Sequence, residues 1–569
     1  MENKVCQNCS QNFAIEPDDF SFYEKIGVPA PTFCPECRMI RRMIWRNVRS
    51  LYKRQCGICS KTLISMYKDD GAPVLCTECW NSDEWDPLSY GQEYDFSRPF
   101  FDQILELFKK APRYFAYHTG TLVNSDYTNY SADNKNAYLS YSVIGCEDVM
   151  YSESIDKSKN CLDCDNVQKL DNCFHNMECE GNYSSHYMLQ SQKCIDSYFL
   201  YDCVNCQNCC MSSNLRNKQY YFKNKKLTKE EYEETIRNLN LDQYSEVEKS
   251  KKYFYDMYKN QAIHKYAQIL NSVDVSGENI RNSRNVKYSF DVVDSENIHY
   301  GSRVLMNCKD CYDVQGLAVG ELIYDCVASS WGTYRDYFCY ITLGCKECEY
   351  SFILKNSSHC FGCVGLTNMQ YCIFNKQYTK EEYFPLVEKI KKHMMEMPYT
   401  DSKGRIYKYG EFFPFEFSPF AYNETVALDS FLGVDEAEAL SKGYSWKTPE
   451  KKDYKITIKS SELADSINDV NDSILSEVVG CPNQGDSAFQ CTTAYKITEN
   501  ESQFYRQKNI PLPRYCPNCR HYIRFQYHNP LRLWHRKCMN GCGNEFETSY
   551  SPERPEKVYC ESCYQKEVL

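Results

Sequence analysis

Large apolar residues recur at a fixed short interval through the middle of the chain. One series runs Tyr138, Tyr151, Leu162, Phe174, Tyr187, Tyr198, Cys210, Phe222; a second runs Tyr288, Tyr300, Tyr312, Tyr324, Phe338, Tyr350, Phe361, Phe374. Steps run from 11 to 14 residues, with 12 the commonest, and the two series lie about 150 residues apart at every member. Asn, Asp, Ser, Gly and Cys fill the joints, so each unit reads as a short strand and a turn. A constant short period predicts stacked units sharing one core. Two units per coil, about 24 residues per turn, predict a β-solenoid. An antiparallel meander of the same strands is the alternative.

Each series ends in a matching tail, Thr228-Lys-Glu-Glu-Tyr232 and Thr379-Lys-Glu-Glu-Tyr383. Thr228 with Glu231, and Thr379 with Glu382, are capping-box pairs, so a helix is expected after each array. Ser97 to Lys110 reads as an amphipathic linker helix. The charged, tyrosine-rich stretch 228–270 has helical spacing. Residues 398–447 read as a connector, with Phe412 to Phe420 a packed extended segment rather than a binding site.

Composition sharpens this picture. Aromatics make up 15% of the 569 residues, which suits strands. Thirty-five cysteines leave two explanations, disulfides or thiolate metal sites. The count is odd, and the opening Met1-Glu2-Asn3-Lys4-Val5-Cys6 has no apolar signal region, so thiols in a reducing cytoplasm are expected. No run of 18 apolar residues exists, which predicts no membrane span.

The cysteines at the two ends are patterned. Cys6/Cys9, Cys34/Cys37, Cys56/Cys59 and Cys76/Cys79 are four pairs with two-residue gaps, a spacing that lets both sulfurs reach one zinc ion. Sequential pairing gives two closed four-thiolate sites; a cross-brace is the other possibility. Each second pair opens a helix-like run, as in a treble-clef finger. The other end repeats the design at an offset of 482: Cys34-Pro-Glu-Cys37-Arg38 matches Cys516-Pro-Asn-Cys519-Arg520, and Arg42, Asn47, Leu51 and Arg54 match Arg524, Asn529, Leu533 and Arg536. Cys538, Cys542, Cys560 and Cys563 repeat the second site. The first knuckle departs, because Ala488 stands opposite Cys6; Cys491 aligns with Cys9, and Cys481 is the expected substitute ligand. About four structural zinc ions follow. Closed four-thiolate sites leave no open position for a substrate.

The chain then divides into a tandem zinc module (1–90), a linker helix (91–115), a β-repeat array (116–227), a helical segment (228–272), a second array (273–378), a helix (379–397), a connector (398–480) and a second tandem zinc module (481–569). The fold class is mixed β with α. The nineteen central cysteines, among them Cys161/Cys164, Cys203/Cys206, Cys308/Cys311, Cys345/Cys348 and Cys360/Cys363, read as inward thiols in a narrow core, with further zinc sites or redox chemistry as alternatives.

Net charge is −11, yet basic residues concentrate in the zinc modules. Arg38, Arg41, Arg42, Arg46, Arg520 and Arg524 are candidate phosphate contacts, and Trp45 and Trp534 candidate stacking platforms for bases. The rival reading pairs these arginines with acids elsewhere in this acidic chain. His521, His528 and His535 fall seven apart and read as surface residues. Phosphate loops, dinucleotide fingerprints, His-Glu-x-x-His and Gly-x-Ser-x-Gly are absent.

The terminal motifs, Phe-x-Ile, Phe-Tyr, Pro-x-x-Cys-Pro-x-Cys-Arg and two further cysteine pairs, resemble zinc-ribbon and treble-clef-like proteins with many Cys-x-x-Cys pairs, known mainly from predicted genes of uncultured bacteria. The resemblance implies zinc binding and carries over no activity. Three functions are compatible with these readings: a zinc protein whose basic ends bind nucleic acid, RNA or ribosomal particles; a solenoid scaffold for a protein partner; and a carbohydrate-active or thiol-redox enzyme.

Overall fold

The computed structural model describes residues 1–430, 434–448 and 454–569; residues 431–433 and 449–453 of the expected connector lie outside the described residues. The architecture mixes α and β, with twelve α-helices among the described residues.

The central arrays are built from parallel strands whose partners lie 12 residues on. Val149 pairs Cys161 and Ile155 pairs Val167, and the ladder continues through Asp165, Met177, Leu189 and Tyr201. The second array repeats this as Val286 with Ile298 and Cys360 with Cys372, with a 13-residue step at Val304 to Leu317. Antiparallel pairing is confined to the terminal hairpins, such as Tyr221 with Lys226, which removes the meander. The repeat is therefore 12 residues, not the 24 expected from two units per coil.

A finer period explains how 12 residues can close on themselves. Every third residue has a left-handed backbone: Asp148, Tyr151, Ser154, Lys157, Asn160 and Asp163 all have φ between 46° and 56°. The residue after each of these is buried, giving Val149, Ser152, Ile155, Ser158, Cys161 and Cys164 as successive inward positions. Left-handed geometry costs a non-glycine residue about 1–2 kcal/mol. The ladder of backbone hydrogen bonds offsets this, for example Asp163 N–H to Met150 O at 3.1 Å and Leu162 N–H to Cys173 O at 3.2 Å. The Asn and Asp at many of these corners are residues that tolerate the conformation best.

The aromatic series does not fill the bore. Cysteine and aliphatic residues such as Cys161, Val149, Leu170 and Met188 do, and the aromatics form an outer wall: Phe174, Tyr187 and Phe199 pack with Phe254, Tyr505 and Leu512 in a separate core. Tyr187 and Phe199 stack with centroids 4.6 Å apart. Helices cap both arrays as expected, Lys229–Asn238 from Thr228 and Lys380–Glu396 from Thr379, each with a complete capping box.

The terminal modules cover the aromatic walls crosswise. The helix Pro35–Met43 of the first module lies on the second array, while Pro517–Phe525 of the last module lies on the first. The second half of each module joins the strand that leads into the other array: Val74–Leu75 pairs Arg113–Tyr114, and Lys557–Tyr559 pairs Ile263–Lys265, both parallel. Each module thus ties the two arrays together.

Candidate metal centre

Four groups of cysteines come together: Cys6, Cys9, Cys34 and Cys37; Cys56, Cys59, Cys76 and Cys79; Cys481, Cys491, Cys516 and Cys519; Cys538, Cys542, Cys560 and Cys563. In each group the four sulfurs lie within 4.8 Å of one another. The pairing is sequential, so the cross-brace is excluded.

The local build is the same each time. A hairpin such as Glu2–Val5 with Asn12–Ile15 carries the first knuckle at its turn, and the second pair begins a helix whose N-cap is Cys34, Cys76, Cys516 or Cys560. Four thiolates at about 2.3 Å from one ion sit about 3.8 Å apart. The observed separations fit: Cys9 to Cys34 is 3.7 Å, Cys59 to Cys76 is 3.8 Å, Cys481 to Cys519 is 3.7 Å and Cys542 to Cys560 is 3.6 Å.

Donors already point at the sulfurs. Backbone N–H groups of Cys34, Cys76, Cys516 and Cys560 reach Sγ of Cys6, Cys56, Cys481 and Cys538 at 3.2–3.4 Å. The equivalence of Cys6 and Cys481 in this pattern shows that Cys481 fills the place left by Ala488. The amides of Asn8 and Asn483 each donate to the last sulfur of their group, Cys37 and Cys519, at 3.2 Å. Such donors and the helix N-termini favour the thiolate form. Although burial works against it, the N–H groups of Cys76, Ile58 and Cys59 hold Cys56 down to about 6. The sites fit tetrahedral thiolate coordination, and four closed groups could hold four ions.

The central cysteines do something different. Among the described residues no further metal-holding group forms, and all 35 cysteines are free. Their Cys-x-x-Cys spacing is the three-residue period of the bore. Cys194 Sγ donates to the carbonyls of Gln192 and Cys203 at 3.4 and 3.5 Å; Ser191 Oγ donates in the same way to Leu189 and Leu200, and accepts from Cys203 N–H. Cysteine and serine thus share one corner role, bridging coil to coil.

The residues expected to contact nucleic acid are placed elsewhere. Arg38, Arg41, Arg42, Trp45, Arg46, Arg520 and Arg524 are buried. Arg38 pairs Asp313 at 2.9 Å, Arg42 pairs Asp313 and Asp325 at 3.0 and 2.9 Å, and Arg41 pairs Asp325 and Glu411 at 2.7 and 2.8 Å. In the other half Arg520 pairs Asp163 at 2.9 Å, and Arg524 pairs Asp163 and Asp165 at 2.9 and 2.6 Å. Arg46 lies over the ring of Tyr130 at 4.5 Å and donates to Ser142 Oγ. Trp45 is packed among Tyr340, Phe352 and Phe413. Only Trp534 is half-exposed, under the guanidinium of Arg532. The physical reason is charge compensation: buried acids at Asp163 and Asp313, 150 residues apart in equivalent coils, receive the two arginine helices. That equal placement was the available signal for these partners.

The histidines are corrected likewise. His521 is buried beside Asp165 (3.4 Å), His528 contacts Glu178 at 2.8 Å, and only His535 is exposed, 3.0 Å from Glu545. No helix among the described residues is long and apolar enough to cross a membrane. Compared with family models and with curated proteins, the chain matches none.

Proposed function

We propose that the chain is a zinc-stapled interaction scaffold of the reducing cytoplasm: four structural zinc ions hold two terminal modules, and these lock two β-solenoids side by side so that the faces they leave uncovered present a fixed surface to a protein partner. The observation that carries the reading is the crossed docking, in which each module clamps one array through buried arginine–aspartate pairs and pairs with the strand that leads into the other. Zinc is favoured by four thiolates with tetrahedral spacing and by the resemblance of the terminal motifs to zinc-ribbon proteins. The arginines favoured for nucleic acid spend their charge inside the molecule, which shifts the balance toward a protein partner.

The test is affinity capture by the zinc-loaded full chain, with and without nuclease treatment, at low and at high salt. One defined protein retained in both supports the scaffold. Recovery of RNA or DNA that is lost with rising salt, with no protein, overturns it.

A further inference from the structure

A cavity of about 420 Å³ opens between the wall of the first array, the helix Tyr244–Asn260 and the last module. The other half of the molecule shows what such a place accommodates. There the loop of the first module carrying Pro29, Thr32 and Phe33, with Arg41 and Trp45 beyond it, is covered by the chain's own segment Tyr409-Gly-Glu-Phe-Phe-Pro-Phe415. The carboxylate of Glu411 accepts from Thr32 N–H and Oγ at 2.7 and 2.5 Å and from Arg41 at 2.8 Å. Phe412 and Phe413 lie 6.1 and 5.5 Å from Trp45, Phe415 lies 6.1 Å from Phe33, and Tyr409 lies 6.3 Å from Phe338. Gly410 has φ 102° and seats its backbone against Pro29, donating its N–H to Tyr350 Oη at 3.0 Å.

At the offset of 482, Pro29, Thr32, Phe33, Arg41 and Trp45 become Pro511, Arg514, Tyr515, Ile523 and Tyr527, and Phe338 corresponds to Tyr187. All six line the open cavity. Tyr255 of the covering helix stacks on Tyr527 at 3.7 Å and so takes part of the plug's place, leaving the remainder open. The charges have been rearranged in step. Arg41 and its partner Asp325 become Ile523 and His175, removing one ion pair, and Thr32 becomes Arg514. Arg514 is 9% exposed, lies 4.6 Å over the ring of Tyr244, and donates through Nη2 to Ala464 O at 2.9 Å; its Nη1 has no hydrogen-bond partner among the described residues. Lys251, Lys252 and Lys259 stand on the cavity's helical side, where Glu248 pairs Lys251.

We infer that this cavity binds an extended segment of a partner protein in which an acidic residue precedes aromatic ones, its carboxylate on Arg514 and its rings between Tyr187, Tyr515 and Tyr527. The inference rests on the scaffold reading and gives that scaffold's partner a chemistry.

The probe is a fluorescein-labelled peptide of residues 408–416, Lys-Tyr-Gly-Glu-Phe-Phe-Pro-Phe-Glu, titrated with zinc-loaded full-length protein and followed by anisotropy. Saturable one-to-one binding is expected. Arg514→Ala in the protein, and Glu411→Gln in the peptide, should each weaken it roughly tenfold. The peptide change leaves the protein untouched, so a folding defect in the protein variant cannot imitate the result. Absence of saturation up to about 1 mM protein, or binding indifferent to both changes, overturns the inference. A protein partner captured and retained alongside a negative peptide titration would remove the cavity assignment alone and leave the scaffold standing.

Discussion

The hydroxyl of Tyr151 donates to the carboxylate of Glu501 at 2.9 Å across 350 residues of chain. Tyr300 makes the same bond to Asp19 at 2.8 Å, and the guanidiniums of Arg520 and Arg38 lie over these two tyrosine rings at 4.8 and 5.2 Å. One recognition pattern of acid, tyrosine, two arginines and an aspartate is therefore used twice, each time between a module and the more distant side of the duplication.

Metal content follows from the thiolate geometry. Native protein should carry about four zinc ions per chain by mass spectrometry, one for each cysteine group. Chelation should lower the melting temperature sharply, because these modules have little core of their own and zinc binding contributes about 10–16 kcal/mol per site in small fingers. Cys37→Ser should remove one ion only.

Breaking one clamp should be costly. Arg41→Ile leaves Glu411 and a share of Asp325 without their buried cation, and roughly 3–5 kcal/mol of stability should be lost in denaturant unfolding. Adding Asp325→His, the residue at the equivalent place in the first array, should cost less than the sum of the single changes, with a coupling of about 1–3 kcal/mol.

The bore should tolerate exchange of sulfur for oxygen. Cys194→Ser keeps both donor and acceptor roles and should change stability by no more than about 1 kcal/mol, with metal content unaltered. Ser152→Ala instead strands the N–H of Cys164, now bonded at 3.0 Å, and should cost about 1–3 kcal/mol.

Glu278 should make stability fall as pH rises through neutrality. Burial, reinforced by Glu178 and Asp291, pushes its carboxyl up to about 7, against the N–H of Gln268 and the hydroxyl of Ser549. The folded state therefore holds a proton that the unfolded chain releases near 4.5. Its contribution is full below that pH and is lost as pH rises through about 7. Glu278→Gln should flatten this part of the melting-temperature profile and stabilise the protein at alkaline pH.

Much of this organisation can be read from the residues. The terminal cysteine groups, including Cys481 for Ala488, follow from spacing and from the 482-residue repeat, because ligand geometry acts locally. The helices after Thr228 and Thr379 follow from their capping boxes. Two things resist. The aromatic period is visible, but its direction is not: Tyr187 and Phe174 face a module hundreds of residues away, and the inward period of three hides among small residues such as Ser152, Cys161 and Cys164. The arginines of Pro35–Met43 look like a nucleic-acid surface because their acids, Asp313, Asp325 and Glu411, come from remote chain.

The crossed clamp also bears on biosynthesis. Arg520 and Asp163 are separated by 357 residues, so at ribosomal speed the first array waits roughly 20–70 s for its cover. Throughout that interval the N-terminal helix, tethered close by and bearing the same two arginines, is a ready impostor. Seating it there would set Arg41 against His175 in place of Asp325. The Arg41–Asp325 pair, set against Ile523 and His175, thus distinguishes the seat of one lid from that of the other.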